Sequence, residues 1–322
     1  HKYKSNEWML AVDAITEITC GENAFEKLKK FQLESNTSIF GFFSYDLKNQ
    51  IEKLMSGNYD GVKFPDLYFF KPRYVFEITG NKLTVNRNYP ETYELVERIT
   101  NYELQITNYK KHDSIILKRR TPREKYLQNV KAIKSQIEAG DFYELNYCNE
   151  FYTEQTSINP IEVFLKLNKA TKTPFSSFFK FQDKFLLSAS PERFLKREGS
   201  KLIAQPIKGT IKKGNTIQEN EVLKQQLQND PKEREENVMI VDLMRNDLAK
   251  SSVAGSVKVE ELYGIYEFET VNQMISTIVS ETKFDSVEII KNAFPMGSMA
   301  GAPKIMVLEN IEKYEDVKRG LF

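Results

Sequence analysis

Ser188-Ala189-Ser190-Pro191-Glu192-Arg193-Phe194 and Gln205-Pro206-Ile207-Lys208-Gly209-Thr210 flank an alternating run, Leu195 to Ala204, broken at Gly199-Ser200. Alternation interrupted by a small, glycine-led pair reads as two short strands joined by a tight turn. Such a hairpin can bring Glu192 and Lys208 to one end of a sheet. Lys208 lies between Ile207 and Gly209 after a proline-stiffened strand end. That is an apolar setting, in which desolvation lowers a lysine's proton affinity toward the nucleophilic range. A carboxyl nearby can then act as the acid. Taken alone, the pair also suits an ordinary surface lysine and glutamate beside a hairpin.

Working outward, Phe178 to Phe181 and Phe185 to Ala189 flank Gln182-Asp183 as a second hairpin, which feeds directly into Ser190-Pro191-Glu192. Consecutive hairpins make the sheet at least partly antiparallel, which disfavours a nucleotide-binding fold of alternating parallel strands. Further upstream, Glu22 to Phe31 has helical spacing, Ser38 to Tyr45 reads as a strand, and Leu67 to Ile78 with Lys82 to Asn86 as a hairpin around Thr79-Gly80-Asn81. The aromatics there read as core, because the basic interleaving of a nucleic-acid surface is missing. A connector from Asn108 to Arg120, carrying Lys110, Lys111, Lys118, Arg119 and Arg120, reads as a solvated linker. Thr121-Pro122-Arg123-Glu124 has the form of a capping box, opening a helix with Tyr126, Val130, Ile133 and Ile137 on one face and ending at Gly140. Pro160 to Ala170 and Pro231 to Lys250 read as further helices.

Composition limits the function classes. The chain has 322 residues, 40% of them hydrophobic, ample for a buried core. Its 46 basic and 45 acidic side chains leave a net charge of +1, so no global field favours nucleic acid or a membrane surface, and an anionic ligand must be held locally. Cys20 and Cys148 form no metal-ligand spacing and suit two buried thiols in a reducing compartment. No apolar run of about 18 residues and no signal segment is seen, so a soluble, cytoplasmic protein is expected. The chain opens on His1 rather than methionine, and a start further upstream is expected. His1 and His112 are the two histidines and lie in no motif, which argues against a His-based triad or zinc site.

Three further stretches carry chemistry. In the helix from Pro231, Glu233, Glu235, Glu236, Asp242 and Asp247 surround an apolar Val238-Met239-Ile240-Val241-Leu243-Met244 core, a pattern that also suits a solvated acidic face. Phe294-Pro295-Met296-Gly297-Ser298-Met299-Ala300-Gly301-Ala302-Pro303-Lys304 is a small-residue loop before a helix starting near Pro303. Its backbone amides can hold an anion, although its spacing is not that of a P-loop. Gly140-Asp141-Phe142-Tyr143-Glu144-Leu145-Asn146 precedes Tyr147-Cys148-Asn149-Glu150.

Together these stretches resemble the chorismate-utilising enzymes. SASPERF with PIKGT, ENVMIVDL followed by RNDL, TVNQMIST and FPMGSMAGAPK match that family's motifs in order, closely over 120–322 and weakly over 1–119. The resemblance implies an α+β fold of antiparallel sheets with outer helices, residues 1–119 forming its N-terminal part and 120–322 the catalytic region. Within the family, lysine in PIKGT points to the branch that aminates chorismate at C4, giving 4-amino-4-deoxychorismate for p-aminobenzoate and folate. Lys208 and Glu192, sixteen positions apart, then serve as nucleophile and general acid. Gly209, Thr210, Gly297, Ser298, Gly301, Ala302 and Lys304 bind substrate, and Glu236 is a ligand of Mg²⁺. Asp242 and Asp247 are structural partners of their helix. Ammonia comes from a separate glutamine amidotransferase, since this chain carries no Cys-His signature for one.

The alternatives are anthranilate synthase component I, whose relatives have alanine at the place of Lys208, and a non-catalytic chorismate-binding homologue. Isochorismate- and salicylate-forming relatives carry a lysine where Glu144 stands, and most others a glutamine. Asn149-Glu150, Asn272 and Lys212 also depart from the motifs. Arg319-Gly320-Leu321-Phe322 matches the start of a segment that continues in relatives and supplies an arginine and a second magnesium glutamate, so the expected site lacks that tail.

Overall fold

The computed structural model describes residues 8–85, 89–100 and 115–321. His1, His112 and the Lys110-Lys111 part of the connector lie outside the described residues. The chain divides into two compact units interleaved in sequence, one drawn from 1–44, 65–118 and 151–156, the other from 45–64, 119–150 and 157–322.

In the first unit the long strand Leu67–Thr79 pairs antiparallel with Trp8–Cys20 along one edge, and with Phe40–Phe43 and Lys82–Val85 along the other. The expected hairpin is present, closing from Thr79 to Lys82. Helix Ala24–Ser35 buries Ala24, Phe25 and Leu28, and the Phe25 ring stacks on Phe43, which meets Phe69 edge-on at 4.9 Å. Phe25, Phe42, Tyr68, Phe70, Tyr74 and Phe76 of this unit are therefore core, whereas Trp8 and Tyr93 are exposed.

The second unit is built around Val271–Glu281. Lys258–Glu267 pairs along one edge, while Lys201–Gln205 and Ile207–Lys212 follow each other along the opposite edge. Arg193–Glu198 adds outside Lys201–Gln205, completing the hairpin read from Leu195 to Ala204. Pro206 separates the two consecutive strands because it has no N–H for a ladder. Its carbonyl still accepts from the Ser276 amide at 3.3 Å, keeping the chain on the same edge. Phe175–Phe181 and Lys184–Ser190 form a separate antiparallel ribbon, as expected.

Helix Pro231–Ala249 starts with Asp230 accepting from the Glu233 amide at 3.0 Å and with proline at its first position. It buries Asn237, Ile240, Val241, Met244, Asp247 and Leu248, a stripe at three- and four-residue steps. Val241, Met244 and Leu248 join Leu202, Ala204, Ile278 and Ile289 in one cluster. Burial of each such aliphatic side chain contributes about 1.5–3 kcal/mol. A second cluster gathers Ile133, Phe142, Val307, Leu308 and Ile311, with Leu145 packed against it, and this supports the short strand Glu144–Leu145.

The pairing is antiparallel throughout the named sheets, with helices packed on them, which is the expected α+β class. Two local expectations are overturned. The helix Arg123–Ala139 has no side-chain cap; the Thr121 hydroxyl instead donates to Asp316 at 2.7 Å, because a carboxylate from far along the chain outcompetes the local amide. Arg120 is not a solvated linker residue. It pairs with Glu150 at 3.2 Å and lies 4.6 Å over the Tyr59 ring, which gives the acidic residue at 150 a partner.

Candidate active site

Ile207 pairs with Ile275 and Thr210 with Gln273, so Lys208 and Gly209 together face the single residue Met274. This is a β-bulge, which breaks the alternation and re-aims the side chain at its apex. Gly209 has φ +99, and a Cβ there would lie 3.1 Å from Met274 Cβ and 3.2 Å from Glu233 Oε2. Only glycine takes that conformation without strain. Asn237 Nδ2 donates to the Lys208 carbonyl at 3.2 Å, Ser276 Oγ donates to Asn237 Oδ1 at 2.5 Å, and the Tyr263 amide donates to Ser276 Oγ at 3.2 Å. Asn237 and Ser276 are fully buried, so the bulge is pinned from below by satisfied polar groups.

Lys208 Nζ reaches Glu144 Oε1 at 2.5 Å, with side-chain exposures of 22% and 16%. The purely apolar setting expected from Ile207 and Gly209 is thus corrected: the immediate neighbour is a carboxylate brought in by a different strand. Glu144 pairs with Ala302, and Leu145 with Gly301. Gly301 has φ +141, and a Cβ there would stand 2.0 Å from the Glu144 carbonyl oxygen, so backbone meets backbone only because this residue is glycine. Asn146 fastens the loop further, its Nδ2 donating to Ser298 O at 2.7 Å and its amide to Ala300 O at 2.9 Å.

Glu192 is the second carboxyl of this group. Ser298 Oγ donates to its Oε1 at 2.9 Å. Burial pushes the Glu192 carboxyl up to about 7, against the opposing pull of Ser298, the Lys208 charge and the Ile207 amide. A carboxyl in that range holds a proton near neutral pH and can donate it. The two ends of the hairpin are joined by Arg193, whose Nε donates to Gln205 Oε1 at 3.2 Å, while Gln205 Nε2 donates to Thr277 Oγ1 at 3.2 Å. Arg193 also lies 4.8 Å over the Phe175 ring.

The remaining expected residues are placed as follows. Thr210 is exposed. The Gly297 amide donates to Asp247 Oδ2 at 3.2 Å. Lys304 pairs with Asp247 at 2.6 Å, both largely buried, and burial lowers the lysine's proton affinity against the pull of that aspartate. Asp247 thereby ties the small-residue loop to the helix, and Asp242 pairs with Arg245 at 2.7 Å, so both act as structural partners. Glu236 is half-buried on the flank of the same helix and pairs with Lys232 at 3.2 Å. Among the described residues no cluster of three His, Cys, Asp or Glu side chains is suited to a metal ion. Asn272 is fully buried and donates to Asn220 at 2.8 Å, which accounts for an amide at that position. An open cavity of about 630 Å³ lies against the helix, lined by Tyr143, Arg234, Asp242, Asn246, Tyr263 and Ala302. Its rim includes the neighbours of Glu144 on both paired strands.

Asn237, Arg193 and Gln205 had not been singled out in the sequence. The available signal for Asn237 was an amide on the apolar stripe of its helix, a position that demands a buried partner.

Comparison with known proteins gives this geometry a context. Aminodeoxychorismate synthase component 1 of Escherichia coli K12 is 37% identical over 199 residues, which cover 61% of this chain and 44% of that protein. The protein of the same name from Bacillus subtilis 168 is 31% identical over 299 residues, 88% of this chain and 63% of its own length. The chain spans about half the length of the curated relatives it matches. The crystal structure of anthranilate synthase component I from Streptococcus pneumoniae TIGR4 superimposes with a TM-score of 0.85 at 20% identity, covering all of this chain and 80% of that one, a likeness of fold. Among the described residues no helix is long and apolar enough to cross a membrane. The profile of the chorismate binding enzymes runs from residue 3 to residue 322, through every element that carries the bulge, the paired strands and the small-residue loop, and the chain belongs to that family.

Proposed function

We propose that this protein aminates chorismate at C4, forming 4-amino-4-deoxychorismate with ammonia delivered by a separate glutamine amidotransferase. The observation that carries the reading is the convergence of a bulge-borne lysine and a carboxyl that stays protonated up to about 7. The names of the two bacterial relatives point the same way. In this reading the Lys208 nitrogen attacks C2, both conjugated ring double bonds shift toward C4, and the C4–O bond breaks. Glu192 gives its proton to the departing hydroxyl, which leaves as water, because hydroxide leaves poorly without an acid. Ammonia then attacks C4, both double bonds shift back, the C2–N bond breaks to free Lys208, and the ammonium formed at C4 gives up one proton to Glu192, restoring the acid. The loop Gly297, Ser298, Gly301 and Ala302, with Gly209 and Thr210, surrounds the substrate, while Lys304 is held away from it by Asp247.

Mg²⁺ fits the chain's donors at one point. Glu236 is a half-buried carboxylate one position before Asn237, the residue that holds the Lys208 carbonyl. Mg²⁺ is commonly held by one or two carboxylates, with waters and substrate oxygens completing its shell. When bound, it supplies charge neutralisation for a substrate carboxylate. The cytoplasm is the compartment this reading expects, in keeping with free thiols at Cys20 and Cys148.

The test is incubation of the full protein with chorismate, Mg²⁺ and excess ammonium, with products resolved by mass. The expected product yields p-aminobenzoate only after a lyase is added, and Lys208→Ala forms none of it. Direct formation of anthranilate transfers the assignment to anthranilate synthase component I, and unconsumed chorismate favours a binding protein.

A further inference from the structure

The roles above leave Glu144 without a task, although its carboxylate is 2.5 Å from the Lys208 nitrogen. Both partners are held by rigid supports. The lysine rises from a bulge whose carbonyl is caught by a buried amide, and the glutamate from a strand clamped to Gly301-Ala302. Two carboxylates lie near this lysine, Glu144 from the short strand and Glu192 from the turn after Lys184–Ser190, while Glu233 of the long helix lies against the neighbouring Gly209. Of these, Glu144 contacts the amine directly, whereas Glu192 is oriented by Ser298 and carries a proton of its own.

We propose that Glu144 is the positioning residue for Lys208, aiming its ammonium in the resting protein and accepting its proton as the nitrogen attacks. This rests on the amination reading. Chorismate is a dicarboxylate, so its arrival strengthens the lysine's hold on its proton at the moment a free amine is needed. Transfer of that proton to Glu144 leaves a neutral amine and a neutral acid. The amine forms the C2–N bond while Glu192 protonates the departing hydroxyl, and Glu144 returns its proton when Lys208 is released as a neutral amine. One proton moves within the pair and returns, and the reaction as a whole consumes chorismate and ammonia and releases one water.

The experiment compares wild type with Glu144→Gln, which keeps the side chain's shape and cannot accept the proton. Lys208 is labelled with trinitrobenzenesulfonate at pH 8 without chorismate, and its peptide is followed by mass, with exposed Lys131 as the internal control for reagent and largely buried Lys304, which stays protected in a folded chain, as the control for folding. Loss of the neighbouring carboxylate removes the ion pair that holds the Lys208 nitrogen, so Lys208 in the variant labels faster than in wild type. Amination moves in the opposite direction: kcat falls at least about tenfold, KM for chorismate stays within about twofold, and Glu144→Asp recovers part of the rate. A merely structural glutamate does not produce opposite changes in the two readouts. Equal labelling rates overturn the pairing, and an unchanged kcat overturns the proton transfer. Labelling needs no chorismate chemistry, so a wild-type chain that labels as expected and forms no aminodeoxychorismate overturns the amination reading rather than the pairing.

Discussion

Replacing Glu192 with glutamine is expected to stabilise the protein in alkaline solution and to do much less in acid. Glutamine has the shape of the protonated carboxyl and still offers Oε1 to the Ser298 hydroxyl, which donates at 2.9 Å. In the folded chain burial raises the carboxyl from 4.5 to about 7. Well below 4.5 Glu192 is neutral in the folded and unfolded chain alike, and the contribution of its raised affinity is fully present. As pH climbs, the unfolded chain ionises first, and the contribution is lost as pH passes through about 7. The span corresponds to about 3 kcal/mol at 1.36 kcal/mol per pH unit once both states are ionised, and to under about 1 kcal/mol at pH 5. Urea unfolding of wild type and Glu192→Gln at pH 5 and pH 8 measures this directly. The variant should gain about 2–3 kcal/mol more at pH 8 than at pH 5. A stability difference of the same size at both pH values refutes a carboxyl held neutral by burial.

The same carboxyl sets a rate dependence: with Glu192 as proton donor, kcat for amination declines as pH rises through about 7, and Glu192→Gln is slow with no such decline. A wild-type profile flat across pH 6 to 8 counts against the assignment. Lys304→Met strands Asp247 without its closest cation, and Asp247 is only 2% exposed, so urea unfolding should show a loss of about 3–5 kcal/mol. The double variant with Asp247→Asn should recover a large part of it, and an undiminished loss argues that the lysine stem rather than the ion pair matters. Glu236→Gln should raise the Mg²⁺ concentration giving half-maximal rate, since a hard cation prefers a charged oxygen ligand. An unchanged magnesium titration removes Glu236 from that role.

The elements of this fold were legible wherever local chemistry decided them. Gly199-Ser200 between alternating runs marked the hairpin, and Pro231 ahead of the apolar run from Val238 to Met244 marked the long helix. The family motifs named Lys208 and Glu192, and the structure brings them together through a bulge that needs Gly209. What was hidden depended on groups remote in sequence. The carboxylate beside Lys208 comes from Glu144, and only pairing of Glu144–Leu145 with Gly301-Ala302 brings it there. Local reasoning therefore assigned the lysine an apolar setting. Thr121 failed as a helix cap for the same reason, because Asp316 offers its hydroxyl a charged acceptor. The family resemblance assigns Lys304 to the substrate, yet the buried Asp247 already pairs with it. Asn237 escaped notice among apolar neighbours, although an amide on a buried stripe announces a polar partner, here the Lys208 carbonyl.

The central claim is that the Lys208 nitrogen bonds to substrate carbon, and intact mass measurement tests it most directly. The full protein is incubated with chorismate and Mg²⁺ without ammonia, then digested. The predicted result is a gain equal to chorismate less one water, confined to the peptide carrying Lys208 and missing in Lys208→Ala. An unmodified peptide from a sample that forms aminodeoxychorismate once ammonium is added contradicts it, because ammonia then displaces the hydroxyl without a covalent lysine intermediate.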